Sequence, residues 1–216
     1  MTDSALTTTR PSSIYAGMEA FDNAQRIAKS LASSTLVPQQ FQGQQGYANC
    51  LVALEIAGRM DLSPLQVMQN LHIIHGRPSW SSQFIIALIN GCGRFEPLQY
   101  RVTGKGDDLA CQCVAKEIST SSDLEGPTVT MAMAKAEGWA TKSGSKWRTM
   151  PELMIRYRSA AMWGRLYIPE LLVGITHTQE EAIDIEEVTV TSPVSDLNAK
   201  VAEQPKPEPV EDGELF

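Results

Sequence analysis

Most signatures of an enzyme or an exported protein are missing from this chain of 216 residues. There is no GxxxxGK[ST] loop to cradle a triphosphate, no GxSxG, no HExxH and no GxGxxG. The three histidines, His72, His75 and His177, have no triad partners at motif spacing. Asp107 and Asp108 fall in a glycine-rich stretch and read as turn formers, not as metal-binding carboxylates. Four cysteines occur (Cys50, Cys92, Cys111, Cys113) without a CxxC pair. They read as buried free thiols of a reducing compartment, not as a zinc or disulfide frame. No run of about 18 apolar residues is present, so no transmembrane helix is expected. The opening MTDSALTTTRPSS has no hydrophobic signal region, and the expected location is the cytoplasm. Aromatics make up only 6% of the residues. These absences favour a binding protein that needs no cofactor. A small metal-dependent nuclease built from scattered carboxylates, and a non-catalytic interaction scaffold, are the competing classes.

The net charge of -7 conceals a division along the chain. Residues 1–178 hold 16 Lys and Arg against 14 Asp and Glu, whereas residues 179–216 hold 2 against 11. From Lys135 to Arg165 there are seven basic residues and only two acids, Glu137 and Glu152. Such a local excess is the electrostatic footprint of a phosphate-backbone binder. The acidic, proline-containing end is expected to be disordered. Three segments follow: a disordered N-terminus (1–13), a core domain (14–178) and a disordered acidic tail (179–216).

Within the core the hydrophobic period changes several times. Ile14 to about Leu36 has apolar residues at helical spacing, as does Tyr47 to Met60. Ser63 and Pro64 open a short helix ending near Asn70. Leu71 to His75 reads as a strand turning at Gly76-Arg77-Pro78, so that His72 and His75 share a face, either solvated or turned to nucleic acid. Ser81 or Ser82 starts an apolar helix. Phe95 to Thr103 and Leu109 to Ile118 alternate as strands around the turn GKGDD, with Cys111, Cys113 and Ala115 on one face. Thr128 to Met131 is another short strand, and a helix around Ala132 to Glu137 follows. The order gives an α+β class: a small antiparallel sheet and a β-hairpin flanked by helices.

The most informative stretch is Lys146 to Glu170, KWRTMPELMIRYRSAAMWGRLYIPE. It reads as a helix capped by Thr149, with Pro151 in its first turn and Glu152 at the third position, ending before Pro169. The helix is apolar on nearly every side, which is the pattern of a buried helix. It nevertheless carries Arg156, Arg158 and Arg165. At about 100° per residue, Arg158 and Arg165 share one stripe, and Arg156 lies opposite, one turn after Glu152. Arg156 is either a surface partner of Glu152 or a phosphate contact. Arg158 and Arg165 need an anion. It is either an acid from elsewhere in the fold or an external phosphate, which suits a guanidinium fork.

The segments NCLVALEIAGRM, SPLQVMQNLHIIHGRPSWSSQFIIALIN, GRFEPLQY, GPTVTMAMAKAEGW and KWRTMPELMIRYRSAAMWGRLYIPELLVG together resemble the RecT/Redβ family of phage single-strand annealing proteins, over about Ala48 to Gly174. The order and spacing of the pieces carry the resemblance. It implies a Rad52-like annealase core that binds single-stranded DNA and anneals complementary strands without ATP. It also implies homo-oligomeric rings or filaments, and work beside a phage exonuclease. DNA would lie in a basic groove beside the hairpin and the arginine helix. The matching positions are Arg77, Lys146, Arg148, Arg156, Arg158 and Arg165. Trp80, Trp139 and Trp147 are candidates to stack on bases, with core packing as the alternative for each. The ending EDGELF resembles the acidic tips that single-strand-binding proteins present to partners, and the host single-strand-binding protein is a second expected partner.

Overall fold

In the computed structural model, which describes residues 13–184, two long helices come first: α1 (Met18–Ala32) and α2 (Gly43–Met60). The expected disordered stretches, 1–12 and the acidic residues from 185 on, lie outside the described residues. α1 is shorter than its apolar period suggests, closing at Ser33 instead of running to Leu36. Ala24, Ala28 and Ala32 of α1 share a buried cluster with Cys50, Ala53, Leu54 and Ala57 of α2. Small residues at this spacing let two helices approach closely. α3 (Pro64–Asn70) starts at the expected proline.

The hairpin follows directly. β1 (Leu71–Ile74) pairs with β2 (Arg77–Trp80) in antiparallel register, Ile74 opposite Arg77. The turn is therefore His75-Gly76, not Gly76-Arg77-Pro78. Both turn residues have positive φ, 51° and 72°, as a two-residue type I′ turn requires. His75 thus lies in the turn, outside the strand of His72, and three positions apart the two do not share a strand face. α4 (Ser82–Gly91) begins where Ser81 Oγ accepts the Phe84 N–H at 3.1 Å.

A separate three-stranded antiparallel sheet has the order β3 (Gln99–Thr103), β4 (Ala110–Lys116), β5 (Asp123–Thr130). β5 includes Gly126-Pro127, which the sequence suggests as its opening, and the pair stands as a bulge opposite Cys113. It lies at the sheet edge, where proline forfeits no ladder hydrogen bond. The β4–β5 register shifts between Gln112 and Val114. Cys111, Cys113 and Ala115 are buried as their alternation suggests, and the shift adds Val114 to the buried set. α5 (Met131–Ala136) is capped by Thr130.

α7 (Pro151–Tyr167) is the helix expected after Thr149, and a short helix, α6 (Lys146–Thr149), precedes it. Thr149 ends α6 and caps nothing; Met150 sits at the break and supplies no side-chain cap. α7 stops at Ile168, before Pro169, as expected. It packs on β4 and β5 and on α4. The approach to α4 is close because position 164 is glycine: a Cβ there would lie 3.1 Å from Ile85 Cγ2. α8 (Gln179–Asp184) completes the described fold, which is α+β with two small antiparallel sheets. Among the described residues no helix is long and apolar enough to cross a membrane.

α7 also repairs the sheet. Cys113, at the register shift, donates its backbone N–H to Ser159 Oγ at 2.8 Å, and both residues are fully buried. Ser159→Ala would leave that donor unsatisfied. The expected cost is roughly 1–3 kcal/mol of unfolding free energy, read as a shifted denaturation midpoint at unchanged slope. No loss would mean that the bulge finds another acceptor.

Candidate nucleic-acid interface

Arg158 is buried to 7% exposure in the middle of α7, and its charge is met inside the fold. Nη2 donates to Asp184 Oδ2 at 2.7 Å, and Nη1 lies 3.5 Å from Glu181 Oε1. The guanidinium lies over the Trp139 ring, 3.8 Å from its centroid, with Trp147 farther away at 5.8 Å. Arg165, seven residues on, grips Glu181 with both prongs of its fork, at 3.0 and 2.8 Å. Its Nη1 also donates to the Thr176 carbonyl. The helical stripe thus holds as geometry, since both arginines reach one carboxylate.

In this conformation the anion that these two arginines need is an acid from elsewhere in the fold, not an external phosphate. Their counter-charges are Glu181 and Asp184 of α8, which falls within the segment assigned to the disordered tail. The core extends at least to residue 184, not 178. The signal for it is present in the sequence: Thr178 and Glu181 stand three apart, the spacing of a capping box. Both reciprocal bonds form, the Thr178 N–H to Glu181 Oε2 at 2.9 Å and the Glu181 N–H to Thr178 Oγ1 at 3.1 Å. Further ties hold α8. Ser82 Oγ donates to Glu180 at 2.6 Å, Lys142 Nζ donates to the Ile183 and Asp184 carbonyls, and Thr178 bridges to Trp80. Burial lowers the Arg158 pKa from its ordinary value, against the pull of Glu181 and Asp184. Burial likewise raises the Asp184 carboxyl, against Arg158.

The tryptophans belong to the core. Trp80 is fully buried, donates Nε1–H to the Leu172 carbonyl at 3.2 Å and packs on Phe84. Trp147 is 1% exposed; its Nε1–H makes no hydrogen bond, although its dipole favours the ionised form of nearby Asp184. Neither presents a ring face to a base in this conformation, which corrects the stacking assignment. Trp139 is half-buried beside Trp147 and roofed by Arg158.

The remaining candidates lie outside. Arg77 is exposed as the first residue of β2. Arg156 makes the surface contact with Glu152, 3.9 Å from its carboxylate. Lys146 and Arg148 are exposed on α6, and no ion pair engages either among the described residues. Their neighbours in sequence are engaged: Lys135 with Asp107 at 2.6 Å, and Lys142 with the end of α8. On the hairpin, His72 is half-buried opposite Ser79. Burial lowers its pKa from the ordinary 6.5, and Glu180 opposes the shift.

No protein-family model, no curated protein and no solved structure matches this chain.

Two outcomes follow from this geometry. Glu181→Ala strips Arg165 of its fork partner and leaves Arg158 with Asp184 alone; such a loss from a buried cluster costs about 3–5 kcal/mol. A chain ending at Thr178 should be destabilised similarly in thermal unfolding, whereas one ending at residue 185 should keep the full-length midpoint. Equal midpoints for all three would remove the cluster's structural role. The His72 contribution has the opposite pH sense from a paired histidine. Its folded pKa is depressed, so its share of stability is complete above 6.5 and is lost as pH falls through the folded value. An imidazole titration by NMR should give a midpoint below 6.5; one at or above it contradicts the burial.

Proposed function

We propose that this chain binds single-stranded DNA and anneals complementary strands without ATP, as a phage-type recombination protein. The reading rests on the resemblance of Ala48 to Gly174 to the RecT/Redβ family. The observation that carries it is the division of cations between Lys135 and Arg165. Lys135, Lys142, Arg156, Arg158 and Arg165 each have a partner, whereas Lys146 and Arg148 stand exposed on α6 with no ion pair among the described residues. Two such cations two residues apart neutralise phosphates without reading base edges, and annealing needs those edges left open. Arg77 adds a third exposed charge on the hairpin.

An α+β domain with a three-stranded sheet backed by α7 is compatible with a Rad52-like annealase core, which is part of the proposal. So is assembly into a ring or filament. α1 leaves Met18 and Ile27 exposed on opposite sides, half a turn apart at about 100° per residue, and the side that bears Ile27 is the surface through which copies of the chain would meet. Neighbours on one strand then add to a modest affinity per subunit. A phage exonuclease that produces the single strand and the host single-strand-binding protein are the partners this role calls for, in the bacterial cytoplasm.

The test mixes two complementary labelled oligonucleotides with the pure protein and no nucleotide triphosphate. Pairing should be faster than without protein, and Lys146→Ala/Arg148→Ala should slow it while the thermal midpoint stays put. Unaccelerated pairing contradicts annealing. Metal-dependent loss of label would indicate a nuclease, and no mobility shift at all would favour an interaction scaffold.

A further inference from the structure

α8 has six residues, far below the length at which a helix holds itself in water. Its attachment is mostly ionic and polar: Arg165 and Arg158 to Glu181, Arg158 to Asp184, Lys142 to its last carbonyls, Ser82 to Glu180. Ala182 is buried, but Ile183 is 54% exposed. The Arg165 fork takes two oxygens of one carboxylate, and a phosphodiester offers two oxygens to the same fork. Beneath α8, Arg158 is pre-ordered against the Trp139 ring. Removing α8 would leave three convergent cations, Arg158, Arg165 and Lys142, without their acceptors on it.

This concealed site adjoins the free surface charge. A cavity of about 200 Å³ opens between the loop before α6 and α8, and Lys142, Lys146, Trp147, Ile183 and Asp184 line it. Lys146, without an ion pair among the described residues, therefore stands at the edge of the cluster that α8 covers. A phosphate held by Lys146 would sit at the mouth of the cavity that Asp184 lines.

We propose that α8 is an internal phosphate mimic, whose Glu181 and Asp184 occupy an anion site formed by Arg158, Arg165 and Lys142 until a nucleic-acid phosphate displaces them. This rests on the single-strand binding proposed above and adds its regulation. In the free protein the two arginines are neutralised by the two carboxylates, Lys142 is held by main-chain carbonyls of α8, and the fold is closed. Bound DNA exchanges one set of anions for another. Because α8 competes, apparent affinity is reduced by the fraction of molecules in which it is in place. Weakening its charge therefore tightens binding.

Amide hydrogen exchange on the full, unsubstituted chain tests this with and without saturating oligo(dT). Residues 179–184 should exchange faster when DNA is bound, while α4 should not. Unchanged or slower exchange of α8 in a complex that does form overturns the displacement and leaves single-strand binding intact. No complex with oligo(dT) at any salt overturns both. As a second arm, Glu181→Gln keeps the shape of α8 and removes one charge. In the folded variant, affinity for oligo(dT) should rise on the order of tenfold, within the usual range of coupling between sites. Unchanged or weaker affinity counts against the mimic.

Discussion

A buried guanidinium without a carboxylate cannot persist in a protein core, and Arg158 is the point at which this fold meets that constraint. Withdrawing an ion from water costs several kcal/mol even after relaxation, and only close, well-directed partners offset it. Arg158 has two acids, and Arg165 shares one of them. Both acids come from a helix far along the chain, so the requirement at α7 determines where α8 must lie. Once placed there, α8 and the residues before it cover the hairpin: the Trp80 N–H bonds to the His177 carbonyl, and Thr178 bridges to the same strand. The two arginines and two carboxylates balance, so the site is electrically closed in this conformation.

The same helix holds the rest of the domain together by size instead of charge. α7 carries Ser159, Ala160, Ala161 and Gly164 in succession, all buried. Glycine at 164 admits Ile85 of α4, and serine at 159 reaches the backbone of β4 at its irregularity. Trp163 fills the remaining space, its Nε1–H bonded to the Leu124 carbonyl and its face met edge-on by Phe95. The apolar all-round composition of α7 is thus explained by contact with a sheet on one side and a helix on the other.

Local signals in the sequence were dependable where one residue decides the outcome. Pro64, the Ser81 cap, the glycine turn before β4 and the stop before Pro169 all lie where their chemistry puts them. Errors arose where two local signals competed. Thr149 and Ser145 both stand at helix-start positions, and Ser145 accepts the Trp147 N–H while Thr149 caps nothing. Gly76 invites a turn one residue later than the His75-Gly76 pair that makes it. The largest omission was α8. Its composition merges with the acidic residues that follow, and averaging over 179–216 hid a capping box at 178–181. That Glu181 answers Arg158 and Arg165 is a tertiary fact that no local pattern contains. That Lys146 and Arg148 have no ion pair among the described residues is likewise visible only after every other cation of the stretch has found its partner.

The functional account stands on those two cations engaging phosphate, and the salt dependence of single-strand binding measures that most directly. Log affinity of the full chain should fall linearly with log salt, with the same slope for oligonucleotides of equal length and different sequence. Lys146→Ala/Arg148→Ala should reduce the slope by roughly 1.4, about 0.7 for each lost phosphate contact. A slope that depends on base sequence, or one that the double substitution leaves unchanged, would contradict the account.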